Sequence, residues 1–278
     1  MRTIQQLMNF AIININKPSG PTSFSVSDYV RKKLSELGVS KTSHFGTLDP
    51  KVTGVLPVAL GRACKLTGFF LGHDKEYIGI MRIHKEMKIE EVQEIINKNF
   101  LGKIKQLPPR KSSVKRAERE REIISFELLE KNEQDILFKT KVQGGTYIRK
   151  LISDLGELIG GAHMLELRRV QAGIFNEKTS ITLYELDKAV EEYKRGNKDK
   201  MKEILIPAEE SIKEIFEFVQ CKKDIMKKLL TGKPIFKEDL LKEPEEDMFA
   251  IFCEENFIGI YKKTKEDAII ARPEFVYN

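Results

Sequence analysis

Cysteine, histidine and long apolar runs are all scarce in this 278-residue chain. Its three cysteines, Cys64, Cys221 and Cys253, are far apart and form no CxxC pair, and its four histidines are scattered singly. Neither pattern has the spacing of a zinc or other metal site, so no metal is expected and the cysteines read as ordinary packed or surface residues. No apolar run is long enough to span a bilayer, and the first residues lack a signal-peptide pattern. Both absences point away from membranes and export and toward the cytoplasm. Internal repeats and low-complexity tracts are absent as well.

What the chain does contain is the material of a globular protein, 41% hydrophobic and 32% charged residues. At this length it can bury a sizeable core and hold one large domain plus a small one. The net charge of +6 is unevenly spread. Between 103 and 121 there are eight basic residues (Lys103, Lys105, Arg110, Lys111, Lys115, Arg116, Arg119 and Arg121) against Glu118 and Glu120, which equals the excess of the whole chain. Between 237 and 255 the balance reverses, with eight acids against Lys237 and Lys242. A polyanion favours the first region and avoids the second.

Alternation over 13–16 predicts a half-buried strand, followed by a turn at KPSGPTS. Ser23 can cap a helix whose face is Val26, Tyr29, Val30, Lys33, Leu34 and Leu37, with Gly38 ending it. Strands are expected at 55–60, 77–83, 123–130, 136–142 and 164–170, and helices at 63–71, 89–100 and 147–159. This mixture without strict alternation predicts an α+β fold: a mixed, largely antiparallel sheet with flanking helices, plus a small mostly-β C-terminal domain. The apolar stretch resuming at Ile204 places the boundary near 208–215, giving domains 1–210 and 211–278. Strands at 248–253 and 257–261 belong to the second, which is short for an independent core.

The string HFGTLDPKVTGVLPVAL, from His44 to Leu60, carries the chemistry. An Asp-Pro pair alone usually marks a turn whose carboxylate caps nearby N–H groups. Here Asp49 lies between Gly46 and Gly54, and the apolar run from Val55 can anchor the loop rigidly. A carboxylate pre-organised in this way can act as a nucleophile or base.

That string resembles the GxLDPxxxGxLP motif of the TruB family of RNA pseudouridine synthases, whose catalytic aspartate Asp49 matches. Upstream, the segment from Asn16 to Ser23 is similar to the family's KPxGxTS; downstream, Lys75-Glu76-Tyr77 resembles its K-x-Y and Gly145-Thr146-Tyr147-Ile148-Arg149 its GTYIR. Gly161-Ala162-His163 and Leu167-Arg168-Arg169 follow in the family's order, so the resemblance covers roughly 12–175. The chain looks most like the archaeal, dyskerin-like group.

The resemblance implies the pseudouridine synthase fold, with a reduced PUA-like C-terminal domain, and an activity that isomerises uridine, foremost uridine 55 in the TΨC loop of tRNA. It implies neither cofactor nor metal, since breaking the N–C1′ bond and rejoining the ring through C5 needs only a carboxylate in a protected pocket. Asp49 attacks C1′ or the ring, or takes a proton from C2′; Arg149 is the cation beside it. Tyr77 stacks on the flipped base, with Tyr147 and Leu167 in the pocket, and His44 helps replace that base in the RNA stack. Lys17 is grouped with the RNA-contacting residues and, with Pro18, is expected mainly to support the Asp49 loop. Arg110, Lys111, Lys115 and Arg116 resemble a segment of the archaeal and eukaryotic members and are expected on RNA phosphates.

Between 83 and 89 the chain is shorter than bacterial members, which implies a different grip on RNA. A monomer acting on tRNA is the first expectation. A catalytic subunit of an H/ACA particle, acting on rRNA with guide RNA and small partner proteins, is the second. A non-catalytic RNA-binding or folding protein is the third.

Overall fold

The computed structural model describes residues 3–108, 117–266 and 268–278. The chain opens with helix α1 (Ile4–Asn9), strand β1 (Phe10–Lys17) and helix α2 (Ser23–Leu34), then β2 (Thr42–His44), β3 (Thr53–Gly61), α3 (Thr67–Leu71), β4 (Lys75–Ile83) and α4 (Ile89–Asn99). Next come β5 (Gly102–Gln106), β6 (Arg119–Asn132), β7 (Asp135–Val142), α5 (Ile148–Ile159), β8 (Ala162–Ala172), β9 (Phe175–Asn176), α6 (Leu183–Lys194) and α7 (Asp199–Ile204). The last part holds β10 (Ile206–Pro207), α8 (Ala208–Ile215), β11 (Glu217–Gln220), α9 (Met226–Leu230), β12 (Met248–Cys253), β13 (Asn256–Lys263) and β14 (Ala271–Val276).

The large sheet runs β10-β1-β3-β8-β4-β7-β6-β5, with β2 paired to β3 and β9 to β8. Its pairings are antiparallel apart from β3 with β8. A second sheet, β11-β12-β13-β14, follows. The architecture is therefore α+β with a mostly antiparallel main sheet and a small second sheet, as expected. Among the described residues, no helix is long and apolar enough to cross a membrane.

Strand β1 is not half-buried as the alternation over 13–16 suggests. Ala11, Ile13 and Ile15 face the helices, packing with Val30 and Leu34 of α2 and Leu186 of α6. Phe10 and Ile12 face the other way, into a core shared with Phe252, Phe257 and Phe275 of the second sheet. Phe10 stacks on Phe257 at 5.7 Å between ring centroids and on Phe275 at 6.1 Å. Each such aromatic pair adds about 1 kcal/mol beyond its buried area, so the short second sheet draws its core from the first. The buried Asn14 donates from Nδ2 to Asn176 O and Thr179 Oγ1, while its Oδ1 is left without a partner.

Other local readings differ from expectation. Thr22 caps α2 by accepting from Ser25 N, while Ser23 is buried in the first turn. The helix α6 carries a Thr182/Glu185 capping box, a signal legible in the sequence that the expected elements omit. The region in which the domain boundary is expected, 208–215, is occupied by α8. Two of the three dispersed cysteines and two of the four histidines also meet. Parallel pairing of Gln220 with Phe252 sets Cys221 beside Cys253, and His84 Nε2 lies 2.8 Å from His163 Nδ1.

Candidate active site

The Asp49 loop joins β2 to β3 and is held from both sides by residues that leave its carboxylate unused. Leu48 and Val52 insert into the core beside it. Ser23 Oγ accepts from Leu48 N at 2.7 Å and donates to Leu48 O at 2.9 Å. Beneath, Lys17 is fully buried and donates from Nζ to Pro18 O, Pro50 O and Val52 O, each at 2.9 Å. Gly20 N donates to Pro50 O as well, at 2.9 Å. The KPSGPTS segment is thus the platform of the Asp49 loop. Lys17 has no surface to offer RNA, so of its two expected roles the structure gives it the supporting one.

Backbone geometry explains the two flanking glycines. Gly46 has φ 103° and Gly54 φ 102°, in the left-handed region that side chains avoid. A Cβ on Gly54 would also sit 2.1 Å from Arg169 O, because β3 and β8 pair at this point.

Among the described residues, Asp49 makes no capping hydrogen bond to the loop's backbone; its carboxylate meets Arg149 instead, Nη2 to Oδ2 at 3.3 Å. Both side chains are about half exposed, 54% for Asp49 and 51% for Arg149. Exposed ion pairs contribute at most about 1 kcal/mol to folding. Stability therefore does not account for this pair, and the turn, closed by Val52 N donating to Asp49 O at 3.0 Å, leaves the carboxylate free of capping.

Arg149 stands in the first turn of α5. Gly144 lets the preceding turn pass against α3 and the residues after it, since a Cβ there would lie 2.6 Å from Leu71 O. Gln106, buried at the end of β5, then clamps Tyr147, accepting from its N–H at 3.0 Å and donating to its O at 3.2 Å. A groove of about 620 Å³ opens beside the ion pair, lined by Pro50, Val52, Arg149, His163, Met164 and Leu167 among others. That volume is typical of a small-ligand site.

Tyr77 lies in β4, mostly buried and directly opposite Arg169 of β8. His44, half-buried, shares a hydrogen bond of 3.2 Å with Thr47 Oγ1. Burial, and secondarily the charge of Arg169, push the His44 imidazole below its ordinary value. A neutral ring at physiological pH suits stacking better than pairing with phosphate. Lys75 is buried as well, and burial with the nearby Arg169 brings its ammonium down to about 8.

Arg149 and Leu167 thus line one groove and Asp49 joins it through Arg149 and the adjacent Pro50, whereas Tyr77, Tyr147 and His44 are not among its lining residues. Arg110, Lys111, Lys115 and Arg116 lie outside the described residues. Of the remaining basic run, Lys103 pairs with Glu120 at 3.0 Å and Lys105 with Glu118 at 3.3 Å. Gln106 and Arg169 are the residues that sequence reasoning passed over. Arg169 stood inside a recognised motif, but nothing in the string marks it as buried.

Residues 32–148 match the family described as TruB family pseudouridylate synthase (N terminal domain), and residues 149–213 match the tRNA pseudouridylate synthase B C-terminal domain. A probable tRNA pseudouridine synthase B from Nanoarchaeum equitans is 42% identical over 77% of this chain. The chain belongs to the TruB family. A TruB relative from Methanococcus maripaludis (strain C6), also named probable tRNA pseudouridine synthase B, is 43% identical over 78% of the chain. The alignments span 61% and 65% of those two relatives' own length.

Among solved structures, the TruB chain is similar to one in a Cbf5-Nop10-Gar1 complex, with TM-score 0.89 and 33% identity over 99% of this chain and 87% of that one. It is also similar to a chain of an H/ACA RNP bound to a substrate RNA containing 2′-deoxyuridine, with TM-score 0.87 and 31% identity over 100% of this chain and 88% of that one. The TruB motifs around Asp49, Tyr77 and Arg149 and the observed α+β architecture therefore belong together.

Proposed function

We propose that this chain is an RNA pseudouridine synthase that isomerises uridine, foremost uridine 55 in the TΨC loop of tRNA, with Asp49 as the essential carboxylate. The observation that carries the reading is the Asp49–Arg149 pair, exposed at a groove while Lys17, Ser23 and Gly20 hold the loop. A rigid loop whose acid is free of capping duty is what covalent or base catalysis needs.

In this reading the target nucleotide leaves its stack and enters the groove beside Leu167, and Tyr77 stacks on it. His44, neutral and on the segment leading into the loop, fills the vacated place in the RNA. The Asp49 carboxylate acts at the sugar or the ring while the N1–C1′ bond breaks. The ring turns, C5 bonds to C1′, the C5 proton is lost and N1 gains one, so the product is an isomer. Arg149, planar and always charged, holds the carboxylate in position. Residues 1–210 form the catalytic unit and 211–278 a reduced PUA-like one, and the protein acts in the cytoplasm as a monomer.

A second reading is favoured by one finding, the similarity over the whole chain to chains of a Cbf5-Nop10-Gar1 complex and of an H/ACA RNP. There the same site acts on rRNA chosen by a guide RNA, with small partner proteins. Mapping pseudouridine in a tRNA transcript treated with pure protein, and in an rRNA fragment with guide RNA and partners added, separates the two. Modification of tRNA by protein alone supports the first; modification only with guide RNA supports the second, and none in either condition contradicts both.

A further inference from the structure

Arg169 is 1% exposed, and among the described residues no carboxylate pairs with it. Burying a guanidinium without an acid is costly, and an apolar side chain of similar volume would fill the space at lower cost. What an apolar side chain cannot supply is a set of donors fixed in one plane.

Each donor direction of Arg169 reaches a different part of the site. Nε donates to Val55 O at 2.8 Å, at the start of the buried part of β3. Nη2 donates to Gly46 O at 2.9 Å, on the other side of Asp49. The two bonds therefore tie together both ends of the loop whose tip carries the carboxylate. Nη1 packs under Gly46, where a Cβ would come within 3.3 Å of it. On the neighbouring strand, Tyr77 is the register partner of Arg169, which sets the two side chains side by side on the sheet.

We propose that Arg169 is a positioning residue of the pseudouridine synthase site: one buried guanidinium sets the Tyr77 ring and the Asp49 loop in a fixed relation to each other. This rests on the enzyme reading given above. An arginine has no acceptor, so toward its register partner Arg169 the Tyr77 phenol oxygen can only accept. The phenol's own hydrogen is then left for an acceptor on the flipped base. Tyr77 thus does two things at once, stacking with its face and orienting the ring of the base with its hydroxyl, and Arg169 decides where that hydroxyl stands. A lysine would keep the charge but could not hold two carbonyls and a phenol together.

The test uses the full chain, Arg169→Lys, Tyr77→Phe and the double variant. Rates come from single-turnover conversion at saturating RNA, and affinity for the same RNA is measured separately. Arg169→Lys is expected to lower the saturating rate by about 100-fold, the scale of a displacement near 1 Å, and to change affinity by less than about two-fold. Tyr77→Phe should cost much less in the Arg169→Lys background than in the wild type, because the two act as one unit. Losses that multiply independently, or a loss of affinity in place of rate, would overturn the proposal.

A second readout holds even where Arg169→Lys does not fold. In the otherwise wild-type chain, Tyr77→Phe should shift the NMR signal of the Arg169 Nε–H and those of the Gly46 and Val55 backbone. An Arg169 signal unmoved by that change overturns the positioning role. Wild-type protein inactive on tRNA and on guided rRNA overturns the enzyme reading instead, and the NMR result still decides the link between Arg169 and Tyr77.

Discussion

The Arg149 guanidinium stands 3.3 Å from the Asp49 carboxylate at an open groove, although the two residues are a hundred positions apart on different elements. The loop carrying Asp49 is built on β1 and α2, and the turn carrying Arg149 on β5 and β7. Their meeting therefore depends on the order of strands in the main sheet, in which β8 lies between β3 and β4. Because both partners are half exposed, Arg149→Met should change unfolding free energy by less than about 1 kcal/mol. The same change should lower the single-turnover rate by at least about 100-fold, since a charge preorganised at the reacting group is lost. Chemical denaturation and quench-flow on one preparation check both halves.

Removing the platform should have the opposite signature. Lys17→Met removes three hydrogen bonds at the base of the loop, leaving the buried Val52 O without its Lys17 donor and Pro50 O with the Gly20 N–H alone. A destabilisation of about 3 kcal/mol is expected, with loss of activity following from the displaced loop. Ser23→Ala, which removes both bonds to Leu48, should cost about 2 kcal/mol. Urea titration reads these values, and stability unchanged in both variants would show that the loop is held in another way.

Gly54→Ala should be worse than either. The new Cβ meets the backbone of β8 at 2.1 Å, and φ of 102° is unfavourable for alanine. Neither strand can yield without losing the β3–β8 pairing, so an unfolded or aggregating product is expected. Soluble yield and circular dichroism are sufficient to see it.

Acid should weaken the fold through His44 and His73. Burial holds both imidazoles below the ordinary value of 6.5, with Arg169 adding to the effect at His44 and Lys75 at His73. The unfolded chain therefore takes up protons first as the pH falls through 6.5. The contribution of these residues to stability is complete above that value and declines below it, toward the folded-state values. Titration of the histidine ring signals by NMR should place the His44 and His73 midpoints below 6.5.

Much of this was legible in the residues themselves. The Gly46–Asp49–Gly54 spacing located the loop, and the apolar periodicities located α4, α5 and most strands of the main sheet. What the string could not carry was long-range. Alternation in β1 suggested one wet face, but that face is covered by phenylalanines more than two hundred residues later. Strand β5, with its lysines facing solvent, reads as a charged run, although its last residue Gln106 is the clamp on Tyr147. Arg169 looks like a surface arginine beside Arg168. Only the crossing of β3, β8 and β4 buries Arg169 while leaving Arg168 partly exposed.

The most direct test of the central claim is the formation of pseudouridine by the purified chain compared with Asp49→Asn, on a tRNA transcript and on guided rRNA, with RNA binding and thermal unfolding measured alongside. The account predicts pseudouridine from the wild type and none from Asp49→Asn, with binding and unfolding unchanged, because the carboxylate supports neither the loop nor the core. Pseudouridine formed by Asp49→Asn at the wild-type rate would contradict it.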